Sequence, residues 1–326
     1  MAKNVHLTFK GYHGHANYRN IIGLITSRIM ERLKLYEEIA SGESSLVTRA
    51  GTAHMDNVLS VVTGESNLSV VGPTTASMGY HGTGLFKEPH PELRVIGHIP
   101  HDDVLVLAVD REKIDIDSFD DIAERKVSMG LSTQYNDGWD TLGYTIEEVF
   151  KAHGFSSEDL EKWGGKLIRR GGPTLCLQEA IAGNADAIFH EAVMIPPWKE
   201  LTEKRNMKFI PMNEDAIAHV VKTLGVRRKV MRKGRLRGVD QDIPALNWGD
   251  WIILTTDKLA DDIAYLIAQI LVEDSKKLDS YYTHLPHELS ALDYPVTPEK
   301  VLAFRDWDIP VHPGAQQYYC EKGYLT

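Results

Sequence analysis

The residues of this chain most suited to chemistry are histidines set among small polar neighbours. His13 and His15 stand in Gly11-Tyr12-His13-Gly14-His15, and His54 closes Ala50-Gly51-Thr52-Ala53-His54. His81 follows Gly79-Tyr80, and His190 is joined directly to Glu191. Imidazole titrates near neutrality and ligates metals in its neutral form, so such a set can run acid–base chemistry or hold a divalent metal. The chain has 14 histidines to place, however, and no tight pair such as H-E-x-x-H is among them. Taken singly, each reads as an ordinary surface or core histidine. The Gly11 and Ala50 segments run into helices, where backbone N–H groups either receive an anion such as a carboxylate or are simply capped.

Several chemistries are excluded by what the chain lacks. No G-x-G-x-x-G follows a strand and no G-x-x-x-x-G-K-[ST] occurs, so no nucleotide cofactor is expected. No G-x-S-x-G elbow supports a serine hydrolase. The two cysteines, Cys176 and Cys320, are too few for a disulfide framework or a cysteine metal site, and Cys176 falls in an apolar helix face as inert core. Lys and Arg total 36 against 46 Asp and Glu, a net charge of −10, which disfavours nucleic acid and anionic membranes as partners. The basic run from Arg227 to Arg237 lacks the interleaved aromatics of a nucleic-acid module; it reads as a solvated loop or as a flap drawing in an anionic ligand. No apolar run approaches the roughly 18 residues of a membrane span, so the chain is not expected to be membrane-embedded.

These residues need elements to hold them, and the pattern alternates strand and helix. Strands are predicted over 5–10, 46–49, 68–71, 93–100, 104–109, 126–130, 167–170, 187–190 and 248–255. Helices are predicted over 18–36, 55–63, 141–153, 175–182 and 259–282, with a short one after Asp117-Ser118. Such alternation means βαβ crossovers and a mainly parallel sheet covered on both faces. In open parallel sheets the ligand crevice lies at the carboxyl ends of the strands. Those ends here are the loops 11–17, 50–55, 72–83, 131–140 and 190–195, which carry the histidines. At 326 residues the length suits two domains of roughly 150 residues each.

Four segments then resemble one known family. Thr48 to Asn57 (Thr-Arg-Ala-Gly-Thr-Ala-His-Met-Asp-Asn), Val62-Thr-Gly-Glu65, Gly183-Asn-Ala-Asp-Ala-Ile188 and His312-Pro-Gly-Ala-Gln-Gln-Tyr-Tyr319, the last continuing through Glu321 and Gly323, are similar to the TAXI family of solute receptors, which serve TRAP-type transporters. The resemblance runs from the first strand to the C-terminus. It implies an α/β, two-lobed, periplasmic-binding-protein-like (type II) fold with a ligand cleft between lobes, lobe I spanning 1–105 plus 212–326 and lobe II 106–211. It also implies a small organic acid or amino acid as ligand, and TRAP membrane subunits as partners. Mapped onto this chain, the ligand-binding positions are Tyr12, His13, His15, Asn17, Tyr18, Thr52, His54, Thr74, Thr133, Gln134, Tyr135, Asn136, His190 and Glu191.

A second class of function stays open at this point: a cytoplasmic decarboxylase or lyase on the same scaffold, acting on a small or aromatic carboxylate. His13, His15, His54, His190 and Glu191 would then be catalytic, by acid–base chemistry or through a divalent metal. The start Met1-Ala-Lys-Asn-Val-His shows no apolar signal core. The expected location is therefore periplasmic if a signal was removed and cytoplasmic if Met1 is the native start.

Overall fold

The computed structural model describes residues 4–12, 16–51, 54–280, 292–293, 296–303 and 308–325, and the side chains of 12 and 16–20 fall outside that description. Two compact units divide it: Met1–His101 with Asp250–Thr326, and Asp102–Gly249.

The first unit opens with β1 (His6–Tyr12), α1 (Ala16–Leu33), α2 (Tyr36–Ser41), β2 (Ser45–Gly51), α3 (His54–Val62), β3 (Leu68–Val71), α4 (Pro73–His81) and β4 (Leu93–Ile99). The second unit comprises β5 (Val104–Asp110), α5 (Phe119–Glu124), β6 (Gly130–Gln134), α6 (Thr141–Ala152), α7 (Ser157–Lys162), β7 (Lys166–Arg170), α8 (Pro173–Ile181), β8 (Ala187–His190), α9 (Pro196–Lys204), β9 (Met207–Ile210), α10 (Glu214–Leu224), β10 (Arg228–Met231) and β11 (Ile243–Asn247). The chain then returns to the first unit with β12 (Trp251–Thr256), α11 (Asp261–Glu273), α12 (Ser275–Ser280), α13 (Pro298–Val301) and α14 (Pro313–Glu321).

Both sheets are mixed. In the first, ordered β2-β1-β3-β12-β4, β1 runs parallel to β2 and β3, and β12 runs antiparallel to β3 and β4. In the second, ordered β10-β11-β5-β8-β6-β7, only β6, β7 and β8 are mutually parallel, while β5 lies antiparallel to β8, β9 and β11. The expectation of mainly parallel sheets is thus corrected: β5 and β12 are the strands entered when the chain passes from one unit to the other, and each enters its sheet antiparallel. The boundary expected at 211/212 moves as well. Residues 212–249 belong with the second unit, because β11 pairs with the start of β5 (Asn247 opposite Val104) and β10 pairs with β11.

Local chemistry explains the elements that differ from the sequence pattern. The helix expected over 18–36 stops at Leu33, where Lys34 takes φ +55. The helix expected over 259–282 stops at Glu273, and the Asp274 carboxylate after it receives Arg28 (2.9 Å) and Arg32 (2.8 Å) from α1. The loop expected over 72–83 is largely α4, started by Pro73 in its first turn and ended at Gly82 in the left-handed region. The polar stretch Ser132-Thr133-Gln134, read as loop, is β6 itself. Its hydroxyls find backbone acceptors, Cys176 O for Ser132 (2.9 Å) and Phe189 O for Thr133 (3.2 Å), which lets polar residues occupy an inner strand. Ser118, expected to precede a helix, closes a capping box with Asp121 at the head of α5.

The C-terminal segment His312–Tyr319 is a docking device. The His312 side chain caps α14 by accepting from Gly314 N (3.2 Å). Gly314 is bare where α14 crosses α11, since a Cβ there would sit 2.0 Å from the Asp261 carbonyl oxygen. Tyr319, fully buried, donates to Ile96 O of β4 (2.8 Å).

Candidate functional site

In each unit the carboxyl ends of the parallel strands form one edge, and the two edges are built differently. In the first unit the edge consists of the ends of β1, β2 and β3. His54 opens α3, and Thr74 lies in the first turn of α4 rather than in a loop. Asn57 of α3 donates to Val70 O (3.1 Å) and packs against Gly51, where a Cβ would stand 2.1 Å from its Oδ1. Buried Lys10 ties β1 to α3 through Asp56 (3.0 Å) and reaches Glu65 (3.2 Å). Tyr12, Asn17 and Tyr18 sit on β1 and α1, but their side chains lie outside the described part, as do His13, His15 and Thr52 altogether. His81, expected in a strand-end loop, ends α4 and faces Asp308 at 3.5 Å.

In the second unit the edge collects the ends of β6, β7 and β8 and the start of β5, and its centre is buried Gln134. The Gln134 Nε2 donates to Asp140 Oδ2 (2.6 Å), and its Oε1 accepts from Gly172 N (2.8 Å) and from His190 Nε2 (3.2 Å). A single side chain thereby ties together the ends of β6 and β8, the turn before α8 and the first turn of α6. Asp140 is the N-cap of α6, accepting from Leu142 N (2.9 Å) and Gly143 N (3.2 Å). His190 is fully buried and uses its Nδ1 to accept from Glu191 N (2.9 Å), so it carries its proton on Nε2. Thr133, Gln134 and His190 are therefore walls and braces. Tyr135, Asn136 and Glu191 are what this edge presents, with Glu191 keeping 17% side-chain exposure.

Two residues absent from the sequence-based site organise it. Asp103, fully buried, accepts three backbone N–H groups: Val104 (2.8 Å), Ala192 (2.8 Å) and Val193 (3.0 Å). Ala192 reaches this geometry in the left-handed region, at φ +65. The carboxyl of Glu191 lies beside Asp103, and burial, with the Asp103 charge and a hydrogen bond to it, pushes Glu191 well above the usual carboxylate range. The signal for Asp103 was the Asp102-Asp103 pair abutting an apolar strand; for Asp140, a carboxylate just ahead of a helical pattern.

The basic run is mostly structural. Arg228 pairs with Glu214 (2.5 Å) and Arg232 with Asp242 (2.7 Å), while Lys229 (2.6 Å) and Arg235 both grip Asp102. Burial works against the Asp102 charge, yet these two cations hold it below its ordinary value. A recess of about 340 Å³ lies here, lined by Asp102, Asp103, Val193, Lys229, Met231 and Arg235 among others. Among the described residues no three His, Cys, Asp or Glu side chains are grouped to hold a metal. No described helix is long and apolar enough to cross a membrane.

Comparison with known proteins fixes the class. The fold is that of the periplasmic binding proteins, an α/β architecture of two lobes. XAC2383 from Xanthomonas citri, bound to chloride ion, is similar over 97% of this chain and 99% of its own at 8% identity, with a TM-score of 0.52. PhnD1 from Prochlorococcus marinus in complex with methylphosphonate covers 98% and 99% at 11% identity, TM-score 0.49. A TRAP periplasmic solute binding protein from a Sulfitobacter species with bound β-D-galacturonate covers 98% and 96% at 10% identity, TM-score 0.45. No curated protein matches the sequence. The family model of the NMT1-like family matches residues 29–323, and the chain belongs to that family.

Proposed function

We propose that the protein is a solute-binding receptor of the TAXI type, which captures a small organic acid or amino acid for TRAP-type uptake and releases it chemically unchanged. The observation that carries this reading is the pair of strand-end edges. Each unit of this chain brings polar residues to the carboxyl ends of its parallel strands, where open sheets receive small ligands. The TAXI-like segments add to it, Thr48–Asn57 lying on one such edge. That XAC2383, of the same fold, holds a chloride ion is consistent with an anionic solute. In this reading Tyr135, Asn136 and Glu191 supply contacts from the second unit. His54 and Thr74 supply them from the first, joined by Tyr12, His13, His15, Asn17, Tyr18 and Thr52 on sequence position alone. Gln134, Thr133 and His190 act behind them as positioning groups.

The test is equilibrium dialysis of the purified protein against a pool of small carboxylic acids and amino acids, followed by mass spectrometry of both sides. Retention of one compound, unaltered and at one equivalent, is the expected result. A pool in which nothing is retained, or in which one compound is converted, overturns the receptor reading.

A further inference from the structure

The basic run from Arg227 to Arg237 divides in the fold. Arg228 pairs with Glu214 (2.5 Å), and Arg232, on the rim of the recess, pairs with Asp242 (2.7 Å). Lys229 of β10 and Arg235 of the loop after it line the recess itself and share a single carboxylate, that of Asp102. All the lining residues belong to the second unit.

The charge balance of the recess favours a further anion. Asp103 also lines it, but its oxygens accept from the N–H groups of Val104, Ala192 and Val193, which spread its charge over backbone dipoles. Asp102 meets Lys229 Nζ through Oδ1 (2.6 Å) and Arg235 through Oδ2 and its carbonyl oxygen (3.4 Å). An ammonium and a guanidinium carry more N–H donors than these contacts use. One of them, Arg235 Nε, is buried and meets no acceptor among the described residues. A buried donor left without an acceptor is costly, and an oxyanion lodged between the two cations would supply one. The remaining wall is apolar, with Val104, Val193 and Met231 all buried.

We infer that this recess is a binding site for a small aliphatic acid, seating the oxyanion on Lys229 and Arg235 and the carbon chain against Val104, Val193 and Met231. Its volume of about 340 Å³ is at the small end of ligand pockets and suits a molecule of a few carbons. Asp102 is the internal anion with which such a ligand competes. Its side chain is 37% exposed, and ion pairs in that setting hold weakly enough to be shared. The site stands apart from the receptor reading, because none of these residues is among the contacts assigned to the solute.

The experiment titrates the full chain by calorimetry with hexanoate, acetate and the neutral hexanamide, at constant ionic strength so that screening is the same throughout. It is repeated for Lys229→Gln, Arg235→Gln, Asp102→Asn and, as a control of equal charge outside the recess, Arg228→Gln. Hexanoate should bind more tightly than acetate, and hexanamide should not bind. Lys229→Gln and Arg235→Gln should each weaken hexanoate by about tenfold or more, and Arg228→Gln should leave it unchanged. Asp102→Asn removes the competing charge and should tighten hexanoate by about threefold or more, a gain that a misfolded variant cannot produce. Hexanoate that fails to bind, hexanamide that binds as well, an equal loss in Arg228→Gln, or no gain in Asp102→Asn overturns the site. Affinity untouched in both Lys229→Gln and Arg235→Gln places the anion elsewhere and also overturns it, while the receptor reading stands.

Discussion

The carboxyl group of Glu191 lies beside the carboxylate of Asp103, and burial together with that neighbouring charge holds Glu191 well above the usual carboxylate range. The pairing is sustained from the Asp103 side. Backbone N–H groups of Val104, Ala192 and Val193 spread that charge over three donors, and Ala192 adopts a left-handed backbone to deliver one of them. The start of β5 is in this way bound to the loop leaving β8, and Glu191, held beside that charge, keeps its proton above the pH at which a free glutamate loses it.

That proton sets a pH dependence. The folded protein keeps it above pH 4.5, the ordinary value at which an unfolded glutamate releases its own. The folded state therefore binds more protons than the unfolded state in that range. The stabilising contribution is complete below 4.5 and is lost as the pH rises through the Glu191 titration, with a slope of about 1.4 kcal/mol per pH unit for one proton. Glu191→Gln, which keeps a donor and cannot ionise, should flatten this part of the profile. Chemical denaturation of both proteins at several pH values above 4.5 is the check; parallel profiles would place the proton elsewhere.

Gln134→Ala tests the brace. The substitution removes the Gln134 bonds to Asp140 Oδ2, Gly172 N and His190 Nε2 in a buried setting. Leaving buried polar groups unsatisfied costs about 1–3 kcal/mol for each that water cannot reach. We expect a loss of about 2–4 kcal/mol in urea unfolding, with faster amide exchange at Gly172 and Glu191. Exchange that accelerates uniformly over the second unit, and not at these turns first, would argue against Gln134 as the tie between them.

How much of this was legible in the sequence depended on whether a signal was local. The short helix after Asp117-Ser118, the strand 68–71 and the strand ending in His190 follow from short-range patterns and stand as read. Ser132-Thr133-Gln134 was misread because a polar strand is stable only when Cys176 O and Phe189 O are present to receive its hydroxyls, and these partners are 44 and 56 residues away. Three histidines outside the candidate set take roles of a related kind. His98 faces Lys300 O (2.7 Å) and Asp250 (2.8 Å), His153 faces Val149 O (2.7 Å), and His312 faces Leu259 O (3.1 Å), all structural roles set mostly by distant chain. Asp103 carried only a local signal, the Asp102-Asp103 pair ahead of an apolar strand, while what marks it in the fold is the backbone of Ala192 and Val193 folding back onto it.

The thiols should separate cleanly. Cys176 is buried, donates to Thr133 O (3.3 Å), and is pushed up to about 12 chiefly by desolvation, whereas Cys320 is exposed. The thiolate is the reactive form. A colorimetric disulfide reagent at pH 8 should therefore consume one thiol per chain rapidly, and the second only after denaturant is added. Two fast thiols in the native protein would mean that the β6–α8 interface opens on the timescale of the assay.

The C-terminal lock offers the sharpest contrast in stability. Tyr319→Phe keeps the buried ring and removes one hydroxyl, which leaves Ile96 O without that donor; the expected loss is about 1 kcal/mol. Gly314→Ala adds a single methyl group, yet its Cβ would meet the Asp261 carbonyl oxygen at 2.0 Å, where backbone from α11 cannot retreat without moving the helix. Overpacking of this kind costs about 1–3 kcal/mol, and α14 would have to lift off α11 to relieve it. The smaller chemical change should therefore be the more damaging one. Thermal melts of the two variants side by side decide the point: if Gly314→Ala melts at or above Tyr319→Phe, the close crossing of α14 over α11 is not what holds the C-terminal helix.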